Sequence, residues 1–204
     1  MRTLVIDCAT EACSVALFDG HGLIAGDCRV LGRGHAEQLV PMIAALPDKG
    51  EADRIAVALG PGSFTGVRVG LAAARALAFA WGAELVGYPT LALVAAMAQG
   101  EHPGAVTVCM TGGHGEWFVQ DFDAQGVALT ALASLPAAQA SAYDGAAIVA
   151  GSQAEAMVAL RKSGAAMVLL PDARSFLLLP AAALTADTAP LYGRAPDARV
   201  PGAT

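Results

Sequence analysis

Lysine is nearly missing from this chain of 204 residues: Lys49 and Lys162 are the only two, and they stand far apart. Lys plus Arg comes to 12 against 18 Asp plus Glu, a formal net charge of −6. Autonomous nucleic-acid binding leans on basic patches, and this balance argues against it. Charge of either sign is scarce, at 15% of residues against 55% hydrophobic. A disordered chain needs the reverse, which excludes disorder as the main state. The apolar runs are short. Eight uncharged residues separate Arg75 from Glu84, and twelve, interrupted by Pro180, separate Arg174 from Asp187. A membrane-spanning helix needs about 20. The run after Arg2 stops at Asp7, too soon for the apolar stretch of a signal peptide. The expectation is a soluble, cytoplasmic protein with no membrane partner.

Cysteine pairs are lacking as well. Cys8, Cys13, Cys28 and Cys109 form no C-x-x-C, which speaks against a zinc knuckle or a thioredoxin-type site. Buried or inert thiols are expected. No G-x-S-x-G elbow appears, so a Ser-His-Asp hydrolase has no support. A chain of this length buries roughly 70% of its unfolded surface, enough for one sizeable core or two small lobes.

What is present reads as alternating elements. Residues 3–7, 14–18 and 23–30 are strand candidates, with Asp19-Gly20 as a hairpin signal between the second and third. Leu39, Met42, Ile43 and Leu46 mark a helix over about 35–46, in which Pro41 should produce a kink or mark the start. A strand over 54–59 leads into a Gly-rich turn. A helix from 65 or 66 to 81, a strand over 84–88 and a helix over 90–97 complete the order βββαβαβα. Residues 99–104 read as a linker. The second half is less regular: strands over 106–110, 116–122 and 146–150, a helix over 153–161 and a strand over 168–170. Pro180 breaks any helix over 176–184. The expected units are a lobe at 1–100, a smaller lobe at 101–189 and a tail at 190–204. No repeat of 20 to 50 residues is visible.

Two turns could carry chemistry. In Asp7-Cys8-Ala9-Thr10-Glu11-Ala12-Cys13-Ser14, turn amides could cradle phosphate and the acid could hold water or Mg²⁺. The alternative is a capped hairpin turn. In Gly60-Pro61-Gly62-Ser63-Phe64-Thr65-Gly66-Val67-Arg68, a turn opens a helix where an anion is favoured. It is not a Walker A loop, and its G-x-G-x-x-x-G is one residue too long for the dinucleotide fingerprint. The alternative is an N-cap by Ser63 or Thr65. His35 has Leu39, not a second histidine, one helical turn on, so a metal pair is lacking.

These stretches resemble the TsaB (YeaZ) family of tRNA threonylcarbamoyladenosine biosynthesis proteins. The two turns, extended to Leu17 and Gly70, are its hallmark stretches. Gly34-His35-Ala36-Glu37-Gln38-Leu39-Val40-Pro41 is similar to its third, and Pro190-Leu191-Tyr192-Gly193-Arg194 to its C-terminal Pro-x-Tyr-x-Arg. The resemblance implies a two-lobed, actin-like α/β fold of ribonuclease-H-like lobes, the second reduced. It implies a non-catalytic subunit of TsaD, which moves a threonylcarbamoyl group onto an adenosine beside the tRNA anticodon. TsaE is a further partner, tRNA is met only through the complex, and a homodimer is possible when the chain is alone. Neither metal nor cofactor is expected on this chain beyond weak nucleotide binding. Asp7, Thr10, Glu11, Gly62 and Ser63 are then remnants of phosphate loops. TsaD-like proteins carry H-x-x-x-H where this chain has His35 and Leu39. Thr111-Gly112-Gly113 stands where the family reads Asp-Ala-Arg, and where a second acid would face Asp7. The competing reading is an enzyme in its own right, an ATPase or phosphotransferase using Asp7, or a peptidase under the older M22 label.

The implied partner surface is the helix after the Gly-rich turn together with the helix holding His35 and Leu39. The residues add a reason of their own. At 100° per residue Arg68, Ala72, Arg75 and Phe79 share a strip about 60° wide. Val67, Leu71, Ala74, Ala78 and Trp81 cluster roughly 110° away and should face the sheet.

Overall fold

The computed structural model describes residues 1–140 and 142–193. The first sheet grows around β1 (Arg2–Asp7), whose residues from Thr3 onward are all buried. A strand covered on both faces reads as a continuous apolar run, as Leu4-Val5-Ile6 does. β2 (Ala12–Asp19) and β3 (Gly22–Val30) fold back antiparallel beside it through the Asp19–Gly22 turn. After α1 (His35–Ala44) come β4 (Arg54–Ala58), α2 (Phe64–Trp81) and β5 (Glu84–Tyr88). Both strands pair parallel, giving the order β3-β2-β1-β4-β5. Helix α1 runs through Pro41 and ends at Ala44, so the proline marks neither its start nor its end.

Helix α3 (Thr90–Glu101) is apolar all round and buried at eight of its positions, as a helix enclosed by protein should be. Leu93 packs into the first core, while Leu91, Val94, Ala95 and Ala98 pack into the second. It runs on through Gln99 into the expected linker. The Gln99 amide donates to the carbonyls of Gly104 (2.9 Å) and Asp123 (2.5 Å), so this link is pinned.

The second sheet repeats the topology of the first. β6 (Val106–Thr111), β7 (Glu116–Phe122) and β8 (Ala133–Pro136) are antiparallel neighbours. After α4 (Ala137–Ala140), β9 (Ile148–Ala150) pairs parallel with β6. After α5 (Ala154–Arg161), β10 (Ala165–Met167) pairs parallel with β9, giving β10-β9-β6-β7-β8. Each lobe is therefore a ribonuclease-H-like meander followed by parallel strands, and the second has the shorter strands.

Two expectations need correction. The last strand lies at Ala165–Met167, not 168–170; Leu169 and Leu170 are apolar because they pack on the second core. β8 and α4 carried too little apolar periodicity to be seen, and Pro136 closes an edge strand where its missing donor is harmless. As expected, the stretch around Pro180 is broken there, into two 3₁₀ segments, Ala173–Leu178 and Ala181–Ala183. The first of these packs on the first sheet. Ala173 N donates to Ser14 Oγ, and Phe176 meets the rings of Phe18 and Tyr88. Thr185 then bridges to Gly87, and Leu191 N donates to Leu59 O. The chain after β10 thus returns to the first lobe. No helix among the described residues is long and apolar enough to cross a membrane.

Candidate functional site

Asp7 ends β1 and shapes the turn that follows. Its Oδ1 accepts from Ala9 N at 2.9 Å, and Thr10 Oγ1 accepts from Ala12 N at 3.2 Å. Two successive side-chain-to-backbone turns result. Three of their carbonyls are used. Ala9 O accepts from Ser63 N at 2.7 Å, Thr10 O lies 2.8 Å from His35 Nε2, and Glu11 O accepts from Leu31 N and Gly32 N.

The spacing of the Gly-rich turn follows from this contact. A Cβ on Gly62 would sit 1.9 Å from Ala9 O, and one on Gly66 would sit 2.1 Å from Cys8 O. Only glycine allows the second turn to lie on the backbone of the first. Ser63 caps α2 by accepting from Gly66 N at 3.3 Å, and the helix begins at Phe64 rather than at 65 or 66. The five residues read as remnants of phosphate loops are thus brought together, but the turns close on each other. The Ser63 amide that would face a phosphate is spent on Ala9.

Asp7 itself is fully buried. Its Oδ2 accepts from Tyr88 OH at 3.3 Å. Burial pushes its carboxyl up to about 7, against lowering by the Ala9 and Tyr88 hydrogen bonds, with the Asp172 charge raising it further. Burial and then the Asp7 charge hold the Tyr88 phenol well above its usual range. Tyr88, 81 residues away, and Asp172 were not foreseen as neighbours of Asp7.

His35 and Leu39, expected on the partner surface, are both buried within this chain. The His35 ring nitrogen is committed to Thr10 O, and Leu39 packs in the first core. They support the surface of α1 from beneath and do not present it. These residues do not fit the metal of an H-x-x-x-H pair. Among the described residues no three His, Cys, Asp or Glu side chains are grouped to hold an ion.

A cleft of about 730 Å³ opens between the lobes. Thr10, Glu11, Ser63 and Phe64 line one side, and Thr111–Gly113 and Phe118 the other. Leu191, Tyr192 and Gly193 form its rim. The Arg68 guanidinium lies 3.5 Å from the Phe64 ring centre and donates to Tyr192 OH at 3.2 Å. The second-lobe turn is bonded within its own lobe: Ser152 Oγ accepts from Thr111 N, and Gln153 donates to Thr111 Oγ1. A Cβ on Gly112 would lie 2.6 Å from Glu116 O, so an alanine there needs a different turn.

On α2, Arg68, Ala72, Arg75 and Phe79 are all exposed, Phe79 to 92%. Val67, Leu71, Ala74 and Ala78 face the sheet, and Trp81 is half-buried beside them. The two arginines also serve this chain: Arg75 donates to Thr188 O at 2.9 Å, as Arg68 does to Tyr192. Both hold the returning C-terminal segment. Arg194 of the Pro-x-Tyr-x-Arg stretch, and most of the expected tail at 190–204, lie outside the described residues.

Residues 29–179 match the model of the TsaD family, tRNA N6-adenosine threonylcarbamoyltransferase. The chain belongs to the TsaD family. It is 40% identical over 105 residues to the tRNA threonylcarbamoyladenosine biosynthesis protein TsaB of Escherichia coli K12. That stretch covers 49% of this chain and 44% of the relative. The chain spans about half the length of the curated relatives it matches. YeaZ from Pseudomonas aeruginosa superposes with a TM-score of 0.74 at 30% identity, over 87% of this chain and 89% of that one. Ethanolamine utilization protein EutJ from Carboxydothermus hydrogenoformans, at 16% identity and TM-score 0.51 over 88% and 90% of the chains, shares the fold alone. Within the TsaD family the likeness to TsaB and YeaZ read from the residues holds, and so does the two-lobed actin-like architecture.

Proposed function

We propose that this chain is the non-catalytic, cytoplasmic partner subunit of a TsaD-type enzyme in tRNA threonylcarbamoyladenosine formation. One observation carries the assignment. Where a catalytic member would present two histidines, Leu39 is in the core and His35 is tied to Thr10 O at 2.8 Å. The buried Asp7 and the acid-free turn at Thr111-Gly112-Gly113 agree with it. TsaD supplies the active site, TsaE joins the larger complex, and tRNA is met through that complex. No cofactor is assigned to this chain.

The outward strip of α2 is the surface offered to TsaD. Ala72 leaves room for an approaching helix, and Phe79 is an aromatic anchor of the kind interfaces concentrate. Arg75→Glu combined with Phe79→Ala should weaken pairing by about 2 kcal/mol, near thirtyfold in Kd, with the monomer still folded. Co-expression with the TsaD of the same genome, followed by size exclusion and titration, measures this. A double mutant that melts normally and pairs at wild-type affinity removes the strip from the interface.

The competing enzyme reading meets a separate check. The purified chain alone should hydrolyse no ATP above background. A turnover that survives purification and vanishes in Asp7→Asn would make it an ATPase.

A further inference from the structure

Cys8 and Cys13 flank the turn between β1 and β2. The strand register sets Asp7 opposite Ser14, so the next rung sets Cys8 opposite Cys13. Their sulfurs lie 3.4 Å apart, and both side chains are buried. Opposed residues of an antiparallel pair have Cα atoms about 4.5 or 5.5 Å apart. Both separations lie inside the roughly 4.4–6.8 Å range that disulfides adopt. A bond between these sulfurs therefore needs no new backbone path. Neither other thiol competes. Cys28 stands opposite Ser14, and alternation places it on the other face of the sheet from Cys13. Cys109 belongs to β6 in the second sheet.

We propose that Cys8 and Cys13 are a reversible dithiol–disulfide site, oxidised by a hydroperoxide that enters through the cleft. The turn between them, Ala9 to Glu11, forms part of the cleft wall. The two thiols have unequal roles. The two sulfurs share a hydrogen bond in which either can be the donor; with Cys8 donating, it favours the Cys13 thiolate against burial and the Asp7 charge, and raises Cys8 in return. Cys13 sulfur attacks one peroxide oxygen and the O–O bond breaks. The leaving oxygen takes the Cys13 proton and departs as water or an alcohol. Cys8 sulfur then attacks the resulting sulfenic sulfur, the S–O bond breaks, and the hydroxyl leaves with the Cys8 proton as water. Two electrons pass from the thiols to the peroxide.

The bond would staple the turn that receives Ser63 and His35. It also lies beneath α2: a Cβ on Gly70 would sit 3.6 Å from Cys8 Cβ. Burial makes the reaction slow compared with an open thiol.

The test uses the full chain with hydrogen peroxide, alkylation of remaining thiols after denaturation, and peptide mapping by mass spectrometry. The expected product is a Cys8–Cys13 link, lighter by two hydrogens, with Cys28 and Cys109 alkylated. Dithiothreitol should reverse it. The linked protein should melt about 5 °C higher than the reduced one, and Cys13→Ser should form no link. Mapping of the wild-type chain stands whether or not the variant folds. If Cys8 and Cys13 remain alkylatable, or Cys28 is over-oxidised while they stay reduced, the proposal is overturned. A link that leaves the melting temperature unchanged overturns the staple.

Discussion

Gly66→Ala is expected to lower stability by about 3 kcal/mol, the upper range for forcing atoms into a packed site. The new Cβ would lie 2.1 Å from Cys8 O, a backbone atom that cannot swing aside. Relief requires the two turns to part, which gives up the 2.7 Å hydrogen bond from Ser63 N to Ala9 O. The helix gains little in exchange, since alanine over glycine is worth about 1 kcal/mol at most. Gly70, one turn further along α2, is the control. Its Cβ would meet Cys8, Val57 and Ile6 at 3.6, 3.7 and 3.8 Å, ordinary contact distances. Gly70→Ala should therefore be neutral or raise stability by up to about 1 kcal/mol. In thermal melts the two variants should separate by about 10 °C, with Gly66→Ala below wild type. Equal behaviour of the two would mean that the turns are not in direct contact.

That contrast also shows where the residues speak for themselves. Both glycines are visible in the chain, and local pattern gives the first as part of a turn that holds an anion or caps a helix. The decisive neighbour, Cys8 O, is 58 residues away in sequence and belongs to another turn. Local pattern carries the first lobe well, because its strands are dense in Val, Ile and Leu and its α2 strip obeys the helical angle. It carries the second lobe less well. Alanine dominates α4 and β10 and marks neither face of an element, and β8 is only four residues, Ala-Ser-Leu-Pro, too short to show alternation. The recurrence of one topology in both sheets is invisible as a sequence repeat, because the shared constraint is strand order and not residue identity. His35 was legible as a lone histidine, yet its acceptor Thr10 O is a backbone atom that no motif names. Asp7 was read correctly as a strand-end acid, and its surroundings were not legible. Tyr88 and Asp172 arrive from β5 and from the returning segment.

Those surroundings set the second large effect, in Asp7→Asn. Burial raises the native carboxyl from 3.8 to about 7, while the unfolded chain keeps the ordinary value. Between those two values the native state holds a proton that the unfolded state has released. The raised pKa therefore adds stability at low pH and loses it as pH climbs through this window. A shift of this size corresponds to about 4 kcal/mol once the window has been crossed. Asparagine cannot titrate, and it fits the same bonds. Its oxygen can accept from Ala9 N as Asp7 Oδ1 does, and its amide can donate to the Tyr88 oxygen. The phenol hydrogen then goes wholly to Ile6 O, which it already reaches at 3.3 Å. At pH 8 Asp7→Asn should be the more stable protein by up to about 4 kcal/mol, or about 10 °C in melting temperature. At pH 4 the advantage should disappear. The difference between variant and wild type across pH is the quantity to follow, since the histidines and surface acids common to both cancel. A difference that stays flat from pH 4 to 8, or a variant weaker than wild type at pH 8, would show that Asp7 is held ionised by its partners and is not a buried acid.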